Sequence, residues 1–426
     1  MINRVLTNFK SNYKKAILEF NYLRKKAYPT FVHKEKDRLE NEIPMFFFHS
    51  VSAIDLEEKF KYLVKNGYRT LKADELYESL TSNKVVPNTI ALTFDDGDES
   101  LWSVAYPLLK KYGLTAIAFI VPNWIVDSVE YQPNLEDYSK GKISLQDVQK
   151  RKFNSLPFIS WQEVKEMHNS GCIDFQSHSL SHSLIFTSGD IVDFVHPNFD
   201  FGFYFGKVPL FYTNQNNLEV KPQLGTPIYT ISPRLFGAKR YFDNQNLREA
   251  CINCVKGNGG ADFFKDKNWR NTLSKIVNEN KPKDLLNGNY ESDEEREAGI
   301  LFELTKSKQI IEEHLEGKTV RHLCYPDYAG SVLSKELSKK AGYMSNFWGW
   351  DVSSLKDKKK YASDPYFVGY KKPFWGWECI QGKPTNRPGD DPYSIVRLPG
   401  DYIFRLPGEG RRSISRIMIK KILRKK

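Results

Sequence analysis

The chain of 426 residues is longer than most single domains, so it forms either one enlarged domain or two. Its composition, 40% hydrophobic and 14% aromatic, excludes wholesale disorder, because such a chain can bury a core. A formal net charge of +11 and a pI near 9.1 indicate an anionic neighbour, which could be nucleic acid, a membrane surface or an acidic glycan.

The cysteines and the hydropathy pattern predict the compartment. Five cysteines are an odd number for a disulfide framework, and Cys251 and Cys254, in one helix-like stretch without a second CxxC, are interpreted as reduced thiols. The first 26 residues carry scattered charges and lack the apolar region of a signal peptide. No stretch reaches the roughly 18 apolar residues of a membrane span. These patterns predict a cytoplasmic protein.

The first half of the chain alternates short apolar runs with amphipathic stretches. A basic segment over residues 1–40 precedes a strand predicted over 43–48, which ends at His49. Further strands are predicted over 89–92, 115–121 and 173–175, and helices over 55–66, 71–80, 103–112 and 161–170. This alternation predicts an α/β fold with parallel strands, in which sites gather at the carboxyl ends of the strands.

The second half of the chain interrupts that rhythm. Residues 186–289 contain neither a metal-ligand spacing nor a Gly-rich phosphate loop, and we interpret them as an insertion that covers the site or as structural elaboration. The α/β pattern then resumes with helices predicted over 291–315 and 334–341 and strands over 319–324 and 343–350. The catalytic domain is therefore predicted to comprise residues 41–185 and 290–405, with residues 361–410 as covering loops.

Two carboxylates stand side by side where the strand at 89–92 ends. The stretch Thr93–Gly97 reads TFDDG, so Asp95 and Asp96 are adjacent at the carboxyl end of a buried strand. Burying both is costly unless something pairs with them, and a cation would do so. His178 and His182 are four residues apart, a spacing that places two imidazoles on one side of a helical turn. The alternative is a simple turn and a surface histidine pair.

TFDDG followed by SHSLSH resembles the first two motifs of the polysaccharide deacetylase family, the NodB-type carbohydrate esterases. The resemblance covers residues 43–185 and 291–350. It implies a distorted (β/α)7-type barrel with a large insertion between the second and third motifs. It also implies that Asp95 is the general base and that Asp96, His178 and His182 bind a metal ion.

The resemblance extends, with departures, to the remaining catalytic groups. The turn at Tyr325 and Pro326, after a strand that begins near His322, is similar to the family's third motif, which lines the groove. The Tyr325 backbone N–H is a candidate hydrogen-bond donor to the oxyanion. Much of the family has a C-terminal Leu-His as general acid, and residues 395–399 have no histidine. A branch of the family opens instead with a strand that ends in Tyr-His, and the stretch around His49 is similar to it. That resemblance implies His49 as the acid, with His322 second and Asp95 acting alone as the last choice.

Two histidines and one carboxylate form a ligand set that Zn²⁺ accepts and that also suits Fe²⁺, Co²⁺ or Ni²⁺. We expect Zn²⁺ because of its availability. Such an ion lowers the pKa of a bound water from about 16 toward about 7 and polarises a carbonyl group. The implied activity is hydrolysis of a C–N bond that is not a peptide bond.

The last sixteen residues, 411–426, contain eight Lys and Arg and no acidic residue, with Ile and Leu between them. A basic amphipathic segment of this kind is typical of a helix on an anionic membrane surface, and we expect peripheral contact with the inner membrane face. The alternatives are a solvated helix or a tail that binds RNA.

The function that these features favour is removal of an N-acetyl group from an amino sugar in a polysaccharide or in its lipid- or nucleotide-linked precursor. One alternative is a catalytically inactive glycan-binding protein on the same fold. Another is a metal-independent glycosidase that uses Asp95 with a second carboxylate. A non-haem iron oxygenase would need cosubstrate-binding residues. Only the net charge favours a nucleic-acid enzyme, and we expect no nucleic-acid partner.

Overall fold

The fold was analysed in a computed structural model. It describes residues 28–35, 37–39, 41–82, 86–148, 157–199, 222–280, 290–328, 330–349 and 385–423, and the single residues 13, 20 and 23. Most of the basic segment predicted over 1–40 and most of the covering loops predicted over 361–410 lie outside these ranges.

Seven parallel strands close into a barrel, with the order β1-β10-β9-β8-β5-β4-β3 and a final pairing of β3 with β1. A short strand, β2, adds to the outer side of the start of β3. The barrel strands are β1 Met45–Phe48, β3 Thr89–Asp96, β4 Ala116–Ile120, β5 Ile173–Ser177, β8 His322–Cys324, β9 Ser345–Gly349 and β10 Ile395–Pro399, and β2 is Arg69–Thr70. The predicted (β/α)7-type barrel is confirmed.

The strands form where the sequence has continuous apolar runs. Every residue of β4 is buried, as are the first seven residues of β3, because parallel strands are covered on both faces by other elements. The twelve helices among the described residues fall into three groups: most pack on the outside of the barrel, one closes an end of it, and two belong to the predicted insertion. They are α1 Thr30–His33, α2 Ala53–Lys65, α3 Ala73–Thr81, α4 Tyr106–Tyr112, α5 Leu135–Ser139, α6 Leu145–Val148, α7 Trp161–Asn169, α8 Gln245–Gly257, α9 Trp269–Asn280, α10 Asp293–His314, α11 Val332–Lys340 and α12 Ile414–Leu423.

One predicted helix is interrupted. The stretch predicted as one helix over 103–112 begins with a π-helical segment, Leu101–Ala105, and Pro107 then occupies the first turn of α4. Apolar periodicity locates this stretch correctly but does not show the local change of helical pitch. After α8 the chain forms a 3-10 segment, Gly260–Lys265, and then α9.

Helix α3 closes the barrel at the amino ends of the strands. Its Ala73 N–H donates to the carboxylate of Asp174, near the start of β5, at an N···O distance of 3.1 Å. Three residues of α3 pack into the barrel interior against strand side chains, and the cluster comprises Ile43, Met45, Ala73, Leu76, Leu80, Ala91, Ile117, Phe119, Cys324, Phe347 and Ile395. The barrel is therefore filled by a core, and its carboxyl-end mouth is left for a site.

His322 lies at the amino end of β8, on the side of the barrel that α3 closes. Its Nδ1 lies 2.7 Å from the Ser345 hydroxyl, and its Nε2 lies 3.0 Å from Oδ1 of Asp74 on α3. The side chain is fully buried in these contacts. The interpretations of His322 as a general acid and as a groove residue are therefore wrong. His322 is at the amino end of β8, whereas the turn at Tyr325 and Pro326 follows Cys324 at the carboxyl end. The length of β8 therefore separates His322 from the mouth.

The predicted insertion follows β5 and begins with an antiparallel hairpin, β6 Leu184–Phe194 and β7 Pro227–Pro233, with two register shifts. Helices α8 and α9 then pack together around a small core of their own, which includes Leu247, Cys251 and Leu273. Residues 200–221 and 281–289 of this region lie outside the described ranges.

The basic tail folds back onto the barrel. In α12, Ile417 and Met418 are buried. The Lys420 ammonium lies 3.0 Å from the Glu58 carboxylate of α2, and the Arg412 guanidinium lies 3.1 Å from the same carboxylate. The apolar stripe and part of the positive charge are thus used inside the fold, so the predicted membrane-surface helix is not supported. No helix among the described residues has the length and apolar character to cross a membrane.

We expect Ile417→Ala to lower the free energy of unfolding by about 2–4 kcal/mol, since it deletes a buried side chain from the contact between α12 and the barrel. Ile417 is 4% exposed, whereas Ile419, two residues later, is 57% exposed. Urea unfolding should therefore show a change within about 0.5 kcal/mol for the matched control Ile419→Ala. Equal effects of the two substitutions would contradict the docking of α12.

Asp74 should make stability depend on pH. The hydrogen bond from His322, with the charges of His322 and Arg321, lowers the pKa of Asp74 to about 2 against the opposing effect of burial. Because this pKa is lower than in the unfolded chain, the contribution is present above about pH 4 and is lost as the pH falls toward 2. Urea midpoints should show a stability deficit for Asp74→Asn at pH 7 that shrinks below pH 4. A similar profile for Glu78→Gln, on the exposed side of α3, would refute this assignment.

Candidate active site at the barrel mouth

The two adjacent carboxylates lie at the carboxyl end of β3. Asp96 has a φ angle of 71° and Gly97 a φ angle of 82°, so the chain turns sharply there. The positive φ angle at position 97 favours glycine, because other residues adopt it only with strain. The turn directs the Asp95 and Asp96 carboxylates to different neighbours.

Asp95 forms a buried, two-pronged ion pair with Arg397 of β10. The Arg397 Nη1 and Nη2 atoms donate to the two Asp95 oxygens at 2.6 and 2.8 Å, and Nη1 also donates to the Thr93 hydroxyl at 2.9 Å. Burial raises the pKa of Asp95, but the opposing charges of Arg397 and His178 outweigh it, and the net pKa lies below the usual value. Asp95 is therefore an ionised carboxylate at neutral pH.

Asp96, His178 and His182 converge on one point, with one ligand atom of each within 4.8 Å of the others. The Asp96 Oδ1 atom lies 3.4 Å from His178 Nε2 and 3.9 Å from His182 Nε2. The His178 Nδ1–H group donates to the Cys324 carbonyl at 2.9 Å, so Nε2 is the ring nitrogen that faces Asp96.

A divalent cation fits this group of atoms. Oδ1 of Asp96 is buried and has no hydrogen-bond partner among the described residues, although both imidazoles approach it. Buried carboxylate oxygens are normally satisfied, so an ion with one carboxylate and two imidazole ligands accounts for the orphaned atom. These three residues could therefore hold the metal ion that the sequence resemblance implies.

A second set of ligand-type atoms, from Asp95, His178 and Cys324, also lies within 4.8 Å. The Arg397 guanidinium already occupies it, because Nη2 contacts the Cys324 sulfur at 2.9 Å as well as Asp95. Burial raises the pKa of the Cys324 thiol, which disfavours the thiolate that a metal would need. This set is a hydrogen-bonded ion pair, and a cation there would be repelled by the guanidinium.

The histidine pair lies in an irregular loop and not in the helical turn that the spacing predicted. Ser179 and His182 have φ angles of 64° and 52°, which no α-helix contains. The turns bring the two imidazole rings to a centroid distance of 5.4 Å. Trp124 stacks on the His182 ring with a centroid distance of 5.1 Å and an interplanar angle of 20°, and this contact fixes the plane of the imidazole. Trp124 belongs to none of the motifs seen in the sequence.

His49 lies at the mouth, immediately after β1. Its Nε2 atom is 3.9 Å from Oδ2 of Asp95, and its side chain is 43% exposed. It therefore lies beside the carboxylate proposed as base while keeping access to solvent and to a bound molecule. This placement is compatible with proton donation, whereas that of His322 is not.

The turn after β8 differs from the sequence-based interpretation. The Tyr325 N–H donates to the Phe347 carbonyl at 3.0 Å, so it is engaged in the sheet and the prediction that it binds an oxyanion is wrong. The Tyr325 ring is buried, and its hydroxyl accepts from the Asn346 amide at 2.8 Å. Pro326 begins a short turn that carries Asp327 and Tyr328 into the mouth.

Asp327 and Tyr328 were not identified from the sequence. Asp327 Oδ2 lies 3.8 Å from His182 Nδ1, and the Tyr328 ring packs on Phe47 with a centroid distance of 5.3 Å. Burial, together with the Asp95 charge, raises the pKa of Tyr328 well above its usual value, so its hydroxyl keeps its proton. Their positive φ angles of 51° and 59° are the structural feature that distinguishes this turn, and no sequence pattern reveals them.

Arg397 was also missed, although the sequence contains a signal for it. A single charged residue between Val396 and Leu398 in a buried strand requires a buried counterion. That stretch was considered only for its lack of histidine. Which carboxylate pairs with Arg397 follows from barrel closure, since β3 and β10 both flank β1.

Comparison with known proteins agrees with this geometry. A family model described as Polysaccharide deacetylase matches residues 82–191, a stretch that contains both carboxylates and both histidines. The predicted resemblance to the polysaccharide deacetylase family is confirmed.

Individual relatives match only part of the chain. A poly-beta-1,6-N-acetyl-D-glucosamine N-deacetylase of Escherichia coli (strain K12) is 27% identical over 150 residues, which is 35% of this chain and 20% of that relative. A protein of the same name from Staphylococcus aureus (strain MSSA476) is 28% identical over 131 residues, 31% of this chain and 37% of that relative. The chain thus spans well under half the length of either relative.

Among solved structures, a de-N-acetylase from Aggregatibacter actinomycetemcomitans covers 72% of this chain and 88% of its own, with 17% identity and a TM-score of 0.43. IcaB from Ammonifex degensii covers 88% of this chain and 98% of its own, with 16% identity and a TM-score of 0.43.

We expect Arg397→Met to cost about 3–5 kcal/mol in free energy of unfolding, because it leaves the Asp95 carboxylate buried without a partner. Adding Asp95→Asn should recover part of that loss, since it removes the unpaired charge. Arg321→Met is the matched control: its guanidinium and the Asp74 partner are both about half exposed, and loss of such a pair costs less than about 1 kcal/mol. Urea unfolding with a chelator present measures all four proteins. Similar losses in Arg397→Met and Arg321→Met would contradict the buried pair.

Proposed function

We propose that this protein is a metal-dependent hydrolase that removes the N-acetyl group from an amino sugar of a polysaccharide. The observation that carries the proposal is the convergence of Asp96, His178 and His182 beside a separate, ionised Asp95 carboxylate. A metal site next to a carboxylate that does not contribute to it supplies the two components that amide hydrolysis by water needs. The names of the relatives from Escherichia coli and Staphylococcus aureus support an N-acetylated glucosamine polymer as the substrate class.

Asp96, His178 and His182 would hold the divalent ion, which when bound supplies Lewis acidity for a water molecule and for the acetyl carbonyl oxygen. We propose Zn²⁺ because it accepts this ligand set and is widely available. The Cys324 carbonyl keeps His178 in the tautomer whose Nε2 atom can bind the ion.

Asp95 accepts the proton of the attacking water. Arg397 holds both carboxylate oxygens in place and keeps the group ionised, while further lone pairs on these oxygens stay available to a water molecule. His49, 3.9 Å from Asp95 and partly exposed, donates a proton to the departing amine nitrogen. The Tyr328 hydroxyl keeps its proton and lies on the turn at the mouth, so it could donate to a carbonyl oxygen.

The place of the reaction in the cell stays a prediction. The cytoplasmic location was inferred from the sequence, and the preference for a substrate at the membrane rested on the basic tail. Because α12 packs against α2 through buried side chains and ion pairs, that reason no longer applies. The proposed substrate is therefore the N-acetylated polysaccharide, and a nucleotide-linked precursor is included as a second arm of the test.

The test uses the full chain, stripped with a chelator and reloaded with Zn²⁺, Co²⁺ or Ni²⁺. Substrates are poly-β-1,6-linked and β-1,4-linked N-acetylglucosamine oligomers and a nucleotide-linked N-acetylglucosamine, and the readouts are free acetate and new amino groups. We expect acetate release that disappears with the chelator and returns with metal. His49→Ala should lower kcat by about 10²–10⁴-fold, as expected for loss of a general acid.

Asp95→Asn should lower kcat at least as strongly as His49→Ala while metal binding is retained, and Asp96→Ala should lose metal binding itself. His168→Ala, at the end of α7 and before the strand β5 that leads to the mouth, is the control and should retain activity. Binding of oligomers without acetate release would instead establish a glycan-binding protein. New reducing ends that persist with the chelator would establish a glycosidase and refute the proposal.

A further inference from the structure

The loop that carries both histidines is held from outside by helix α10. The Ser181 N–H and hydroxyl donate to the two carboxylate oxygens of Glu303 at 3.1 and 2.6 Å. The Leu180 N–H donates to the Glu303 backbone carbonyl at 3.1 Å. One residue of α10 therefore receives three hydrogen bonds from the two residues that precede His182.

Other contacts also hold the loop. Within it, the His182 N–H donates to the Ser179 hydroxyl at 3.1 Å and the Ser179 N–H donates to the Ser177 hydroxyl at 3.3 Å. The Asn123 N–H donates to the Leu180 carbonyl at 3.1 Å, and Trp124 stacks on the His182 ring. Left-handed backbone at Ser179 and His182 costs of order 1–3 kcal/mol each, and such conformations persist only where the surroundings impose them. Glu303 contributes a carboxylate to these surroundings.

The Glu303 side chain is partly buried, and this burial raises its pKa despite bonds from Ser181 and Ser183 and the nearby charge of Arg234. All of these neighbours donate or are positive, so they fit an acceptor with two oxygens. Arg234 fixes the other side of the loop, because its N–H donates to the Ser183 carbonyl at 2.9 Å and its guanidinium pairs with Glu291, just before α10.

We propose that Glu303 is a positioning residue: by holding the N–H and the hydroxyl of Ser181 it directs the His182 imidazole toward Asp96 and thereby sets the affinity of the metal site. This inference rests on the metal site of the proposed function. Glu303 does not contact the metal-binding atoms itself, so it acts entirely through the loop. Substitution of groups that orient a metal ligand typically weakens metal binding by 10–100-fold.

The experiment is a metal titration of the stripped full chain, with Co²⁺ followed by its absorption spectrum and Zn²⁺ followed by competition with a chromophoric chelator. The variants are Glu303→Gln, Ser181→Ala and the double substitution. Glu297→Gln is the matched control, since it removes an exposed carboxylate from the same helix. We expect the Kd of Glu303→Gln to rise about 10–100-fold and that of Glu297→Gln to stay at the wild-type value.

Because Glu303 and Ser181 act through one contact, the double variant should lose little more affinity than Glu303→Gln alone. The melting temperature of each metal-free variant separates loss of fold from loss of affinity, and Ser181→Ala, which deletes only a hydroxyl, provides the test if Glu303→Gln does not fold. Wild-type affinity in Glu303→Gln or in Ser181→Ala would overturn the positioning role while leaving the proposed function intact. A wild-type chain that binds no metal would refute the proposed function itself.

Discussion

The contact on which the mouth of the barrel depends is the buried ion pair between Asp95 and Arg397. Both charged groups are buried, so each would be strongly destabilising without the other. The pair spans β1, because β3 and β10 are its neighbours on either side, and the guanidinium passes over the Phe47 ring at 5.5 Å. The same ion pair therefore links the strands on either side of β1 and keeps the candidate base ionised. A strand shift by one residue would separate the partners.

The two ends of the barrel divide stability and chemistry between them. At the amino ends of the strands, α3 fills the opening, and both ring nitrogens of His322 are hydrogen-bonded, one to Ser345 and the other to Asp74. At the carboxyl ends, unusual backbone conformations concentrate at Asp96, Ser179, His182, Asp327 and Tyr328. Positive φ angles at residues other than glycine are unfavourable, and they cluster where a rigid scaffold holds functional side chains. The filled interior supplies that rigidity, since its residues are closely packed apolar side chains.

Features that depend on a local sequence pattern, namely the strands and the site motifs, could be predicted from the sequence. The apolar runs of β3 and β4 predict the parallel barrel, and the motifs around Asp96 and His178 predict which side chains gather at the mouth. Contacts between distant segments were not accessible in this way. The partner of Arg397 depends on how the barrel closes, and the N–H of Tyr325 is engaged because β9 lies beside it. The membrane-surface helix predicted for the tail is not supported for a related reason. A basic amphipathic helix has the same sequence pattern whether its apolar face contacts a membrane or the barrel, and Ile417 is buried against the barrel.

The position of the insertion explains how the fold accommodates it so close to the candidate metal ligands. The hairpin begins two residues after His182 and ends just before Arg234, and its base is closed by pairing of Leu184 with Pro233. The Arg234 N–H then returns to the Ser183 carbonyl, so the entry and exit of the hairpin are bonded to each other. Chain can be added beyond this closed base at little entropic cost, because closure entropy grows only slowly with loop length. The closed base therefore separates the body of the hairpin from the loop at His182, where Glu303 and Trp124 hold the chain.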